Sequence, residues 1–171
     1  MKRIIGIAEM AVSDDPGDLL VTHALGSCVG VAAYDLAAGV AGLIHCQLPL
    51  SQHDPQRALN YPATYVDTGV PAMFERMFSC GAEKHRLRIK VAGGATLLTD
   101  DKLFRVGERN LTVLRKLLWK NDLLIAAADV GERHARTMSV EVATGRVVIT
   151  CGGESRELDE ARRHCGARAP I

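Results

Sequence analysis

No basic block, no membrane-length apolar run and no Cys-x-x-Cys pair occurs in these 171 residues, and each absence removes a class of function. Lysine and arginine number 21 against 20 aspartates and glutamates, so there is no electrostatic footprint for nucleic acid or an anionic membrane. Arg162-Arg163 is too short a basic pair to change that. No apolar stretch approaches the roughly 20 residues of a spanning helix, so membrane insertion is not expected. Met1-Lys2-Arg3-Ile4-Ile5-Gly6-Ile7 is basic then apolar, but too short for a secretory leader. It reads as the first strand of a cytoplasmic protein.

The five cysteines, Cys28, Cys46, Cys80, Cys151 and Cys165, are odd in number and irregular in spacing, as free thiols of a reducing compartment would be. His23, Cys28, His45, Cys46 and His53 match no common ligand spacing, and neither a metal nor a cofactor is expected. Gly93-Gly94-Ala95-Thr96 is neither a dinucleotide fingerprint nor a P-loop; it reads as a turn that lets backbone approach closely. Without an internal repeat or composition break, residues 1–153 read as one domain, followed by a polar tail over 154–171.

What is present is a run of strand and helix signals. Strands are expected at Arg3–Glu9, Leu19–Thr22, Val29–Tyr34, Val40–Cys46, Arg86–Val91, Leu123–Asp129, Arg136–Ala143 and Val147–Cys151, the last two joined by a turn at Thr144-Gly145. A helix capped by Thr68 would place Pro71 in its first turn and stop at Gly81. Another, over Asn110–Lys120, turns Leu111, Leu114, Leu117 and Leu118 inward. Ser51–Asn60 is polar and irregular, either a solvated loop or one wall of a site. The order suits an α/β chain of mixed α+β type, with mixed sheets in a sandwich-like core flanked by helices.

The chemistry centres on Cys28. It follows Gly26-Ser27 at a break between two apolar runs, a position where free backbone N–H groups would favour a thiolate. The next apolar run ends at His45, and pairing the runs across Asp35–Gly39 brings His45 back toward Cys28 as a nucleophile and base. The alternative is that Cys28 is an inert buried hydrophobe. Cys46 follows His45 directly, so on a strand it faces the other way. Thr22 is either an ordinary strand residue or the holder of the second imidazole nitrogen. His23, its neighbour, faces away.

Several pieces taken together resemble the chemoreceptor glutamine deamidases, the CheD family. They are Ile5-Gly6-Ile7-Ala8-Glu9, Val21-Thr22-x-x-Leu25-Gly26-Ser27-Cys28-Val29, His45-x-x-Leu48-Pro49, Tyr65-x-Asp67, Val91-Ala92-Gly93-Gly94-Ala95, Gly107-x-Arg109-Asn110 and Asp129-x-Gly131. The resemblance implies a fold like that of toxin-type cysteine deamidases and a papain-like Cys–His mechanism. It implies Cys28 as nucleophile, His45 as base and Thr22 as the third polar member. The backbone N–H of Cys28 and a neighbour at the Gly26-Ser27 bend are the candidates for holding the oxyanion. It further implies methyl-accepting chemotaxis receptors as substrates, their glutamines converted to glutamates, and the phosphatase CheC as a partner. The rival functions are an adaptor with little catalysis and a receptor methylesterase. Glu132 stands where relatives often have a second glycine.

Overall fold

The computed structural model describes residues 1–96 and 105–159. Its strands are β1 (Lys2–Ile5), β2 (Met10–Ser13), β3 (Leu19–Leu25), β4 (Val29–Asp35), β5 (Val40–Cys46), β6 (Arg88–Gly93), β7 (Ile125–Val130), β8 (Arg136–Glu141), β9 (Val147–Cys151) and β10 (Glu154–Glu157). Its α-helices are α1 (Pro55–Asn60), α2 (Val66–Ser79) and α3 (Val106–Lys120). One sheet has the order β1-β3-β8-β9-β10, the other β2-β5-β4-β6-β7. This is the expected mixed α+β sandwich flanked by helices. The chain passes from the first sheet to the second at Gly26–Cys28, the segment between β3 and β4.

Side-chain alternation in β5 explains the layering. Ala41 and Leu43 point to the first sheet, where they pack with Leu20, Met138, Val140 and Ile149. Val40, Ile44 and Cys46 point the other way, onto Val66, Val70, Met73 and Met77 of α2 and Leu111 and Leu114 of α3. Every residue of β5 is therefore buried, as the unbroken apolar run Val40–Ile44 requires. Each large aliphatic side chain in these layers contributes about 1.5–3 kcal/mol by leaving water. No helix among the described residues is long and apolar enough to cross a membrane.

Four expectations are corrected. Arg3–Glu9 is not one strand: β1 ends at Ile5, a turn closes with the Gly6 N–H on the Glu9 carboxylate at 2.8 Å, and β2 joins the other sheet. Ser51–Asn60 contains α1, whose first turn is capped by Asp54 accepting from the Arg57 N–H at 3.0 Å, with Pro55 at the first helical position. The second helix begins at Val66, before Thr68, because backbone carbonyls do the capping: Val66 N–H donates to Leu48 O at 2.9 Å and Asp67 N–H to Pro49 O at 3.4 Å. Thr68 instead donates to Pro62 O at 2.8 Å, and Pro71 sits in the second turn, depriving the Asp67 carbonyl of its helical donor. Finally, Glu154–Glu157 forms β10 against β9, and Leu158 is fully buried, so the sheet extends beyond Cys151. Residues 160–171 of the expected tail, Cys165 included, lie outside the described residues.

Candidate functional site

The last turn of β3 is irregular. Its pairing with β8 shifts register between Thr22 and Leu25, and Ala24 takes a left-handed backbone with φ 56°. That conformation costs an alanine on the order of 1 kcal/mol, so the surrounding structure enforces it. The Gly26 N–H then donates back to Ala24 O at 2.8 Å, which turns the chain toward β4.

Three successive carbonyls of this bend are held from outside. Gly26 O accepts from Ala95 N–H at 2.9 Å, Ser27 O from Asn110 Nδ2 at 3.0 Å, and Cys28 O from Gly94 N–H at 2.7 Å. The Gly93–Ala95 turn thus approaches backbone closely, as its composition implies. Gly93 has φ +100°, and a Cβ there would lie 2.3 Å from Cys28 O. Gly93→Ala is expected to destabilise the fold by about 1–3 kcal/mol and to displace Cys28. Urea midpoints read the first effect and Cys28 alkylation rates the second; both unchanged would contradict this placement.

Thr22 and His45 come from different sheets and meet in the layer between them, both fully buried. Thr22 Oγ1 lies 2.7 Å from His45 Nδ1 and 2.8 Å from Ile5 O. The carbonyl of Ile5 can only accept, so the single hydroxyl proton goes to it. The hydroxyl oxygen must then accept from Nδ1–H. This places the imidazole proton on Nδ1 and leaves a lone pair on Nε2, which is buried and has no hydrogen-bond partner among the described residues. His45 is also fixed by its backbone, with its N–H on Glu9 O at 3.0 Å and its carbonyl accepting from Ala8 N–H at 2.9 Å.

Cys28 shares this layer. In the β4–β5 register Gly30 stands opposite His45, and Cys28, two residues before Gly30, packs against the intersheet cluster and is part-exposed. Cys28 lies just outside the β4–β5 ladder, and its sulfur makes no hydrogen bond to His45 Nε2, which has no partner among the described residues. Burial pushes the Cys28 thiol up, against a smaller downward pull from its own backbone N–H, and burial pushes the His45 imidazole down to about 4. Both shifts favour neutral forms, so the resting pair is thiol and imidazole, not thiolate and imidazolium.

The other candidates separate cleanly. Cys46 lies on the helix side of the sheet, as strand alternation requires, and burial drives its thiol far upward. His23 is exposed and sits 3.1 Å from the Thr137 hydroxyl. His53 is exposed as well. Among the described residues no three His, Cys, Asp or Glu side chains converge as a metal site. Asp129 does not reach the bend; its partners are Arg136 at 2.8 Å and Arg156. An open groove beside the Gln47–Pro49 segment is lined by Pro49, Leu50, Arg105, Glu108, Arg109, Thr112 and Val113; Thr22, Cys28 and His45 do not line it. Sequence reasoning missed the Ile5 carbonyl, and it named Asn110 as a polar residue of a family piece without separating a site role from upkeep of the fold. The first has no side-chain signal at all; the second is a polar residue on a helix face otherwise given to leucines, and only its contacts show that it reaches the bend.

Residues 47–151 match the family model for CheD, chemotactic sensory transduction. The chain belongs to the CheD family. It is 44% identical over 91% of its length, and 98% of the relative's, to the protein of Syntrophus aciditrophicus named probable chemoreceptor glutamine deamidase CheD 1. It is 39% identical to the Solibacter usitatus protein of the corresponding name, over 91% of this chain and 92% of that one. With the Thermotoga maritima chemoreceptor glutamine deamidase CheD it shares 36% identity over 94% and 99%. The stretch of this chain that matches the family model begins beyond Cys28 and His45, but likeness over 91% of the chain takes in the segment that carries them.

Proposed function

We propose that this CheD chain is a protein-glutamine deamidase acting on chemoreceptors, with Cys28 as nucleophile, His45 as general base and Thr22 as the residue that orients it. The supporting observation is the position of the imidazole proton. Ile5 O takes the threonine proton, Thr22 Oγ1 takes the Nδ1 proton, and Nε2 is left as a buried base with no hydrogen-bond partner among the described residues. A strand threonine with no site role would not need to select a tautomer. The names of the relatives supply the substrate class.

The chemistry runs from the neutral pair. As a glutamine Cδ carbonyl docks, Nε2 takes the thiol proton while the sulfur–carbon bond forms. The negative charge that develops on oxygen is met by the backbone N–H groups of Ser27 and Cys28. The carbon–nitrogen bond then breaks, and the proton on Nε2 leaves with ammonia. Water, deprotonated by the same nitrogen, cleaves the thioester and returns the proton to sulfur. Glutamate is the product. Each turnover adds one negative charge to the receptor, which changes its helix packing and thereby adaptation of the signal.

Ammonia release from a receptor cytoplasmic fragment tests this. The wild-type chain is expected to release ammonia and Cys28→Ala to release none above background. Equal release by the two would reduce the protein to an adaptor. Methanol from a methylated fragment without ammonia from the glutamine form would make it a methylesterase instead.

A further inference from the structure

We infer that Asn110 is a positioning residue: its amide fixes the Ser27–Cys28 peptide so that the Cys28 N–H faces the oxyanion, and ties that peptide to the strand bearing His45. The inference rests on the deamidase reading above and goes beyond it. Asn110 is fully buried, and its Nδ2 donates to Ser27 O at 3.0 Å and to Gln47 O at 3.1 Å. Both partners are carbonyls, which only accept, so the amide nitrogen must face them. One side chain on α3 thereby bridges the residue before the nucleophile and the second residue after the base.

Peptide planarity turns this bond into a statement about catalysis. The Ser27 carbonyl and the Cys28 N–H belong to one planar trans unit and point in opposite directions. Holding the carbonyl in the protein interior aims the N–H outward on the other side. The Ala95 N–H on Gly26 O does the same for the Ser27 N–H. Two adjacent donors are thus set in advance of any substrate, which is what an oxyanion site requires.

The helix gains nothing locally from this residue. Asparagine is a poor helix former, and Asn110 Oδ1 is buried with no partner among the described residues. Leucine or alanine at that turn would serve α3 better. The same turn is pressed onto the loop that holds the bend: a Cβ at Gly107 would lie 2.5 Å from Ala95 O. The start of α3 is therefore seated against the catalytic bend, and Asn110 is the contact that reaches it.

Iodoacetamide separates positioning from general support, because alkylation needs an accessible thiolate but develops no oxyanion. For Asn110→Ala, kcat for ammonia release from a receptor fragment is expected to fall about 10- to 100-fold. KM should stay within about twofold, and Cys28 alkylation, read by peptide mass, within about threefold of wild type across pH. Leu114→Val, which loosens α3 packing without touching the bend, should leave kcat within about twofold. If Asn110→Ala does not accumulate folded, Asn110→Ser takes its place with the same split expected. Alkylation falling in step with kcat, a kcat near wild type, or an equal loss in Leu114→Val would overturn the assignment. Cys28→Ala as active as wild type would mean that the deamidase reading itself had failed; Cys28→Ala inactive with Asn110→Ala unaffected would remove only the role of Asn110.

Discussion

His45→Asn is expected to lower deamidation by roughly a thousandfold and, separately, to flatten the acid side of the stability profile. The rate loss follows from removing the group that carries the proton in both halves of the reaction. The stability effect follows from burial. His45 is fully buried and its pKa is pushed down to about 4, whereas in the unfolded chain it titrates near 6.5. Between those values the unfolded chain binds a proton that the folded chain refuses, so stability falls as pH drops from about 6.5 to 4. The loss over that window is on the order of 3 kcal/mol.

Asp35 does not confuse the measurement. Burial alone would raise its carboxyl, but Arg86 at 2.9 Å and the Glu83 N–H outweigh this and hold it at about 2. Its contribution is complete above about pH 4 and is lost only as pH falls toward 2. Urea titrations at pH 7, 5.5 and 4 therefore isolate His45. A slope retained in His45→Asn would contradict the burial argument. Thr22→Val tests the tautomer directly: with no oxygen to accept from Nδ1–H, the proton can move to Nε2, and deamidation should fall about 10- to 100-fold while the fold persists.

The readable part of this molecule is the part with a period. Val29–Tyr34 and Val40–Cys46 declare a hairpin, and alternation within it correctly sends His45 to one face and Cys46 to the other. Thr22 is different. Its strand is legible, but its meeting with His45 is a contact between two sheets, and no spacing encodes which sheet a strand joins. The same blindness merged β1 and β2, which are consecutive in the chain yet lie in separate sheets. The start of α2 was missed because its cap is the Leu48–Pro49 backbone rather than a capping side chain. Ile5 enters the site through a carbonyl, which every residue possesses and no sequence pattern marks.

A buried ion pair behind the bend should show the largest effect on stability. Arg136 stands opposite Leu25 on β8, and its guanidinium is fully buried, with Nε on Asp129 at 2.8 Å and Nη1 on His134 O at 3.0 Å. Arg156, from β10, meets the other oxygen of Asp129. Asp129 lies on β7, so this carboxylate joins an edge of one sheet to two strands of the other. Asp129→Ala removes the carboxylate that Arg136 and Arg156 share, leaving Arg136 charged in the interior. The expected cost is about 3–5 kcal/mol, a large part of the stability of a domain this size. Asp129→Ala with Arg136→Met removes both buried charges and should recover most of the loss, because a paired burial is expensive chiefly when half of it is deleted. Urea midpoints of the single and double variants decide it. A single variant within about 1 kcal/mol of wild type, or a double variant no better than the single, would mean that water reaches this site and that the sheets are joined by the apolar layer alone.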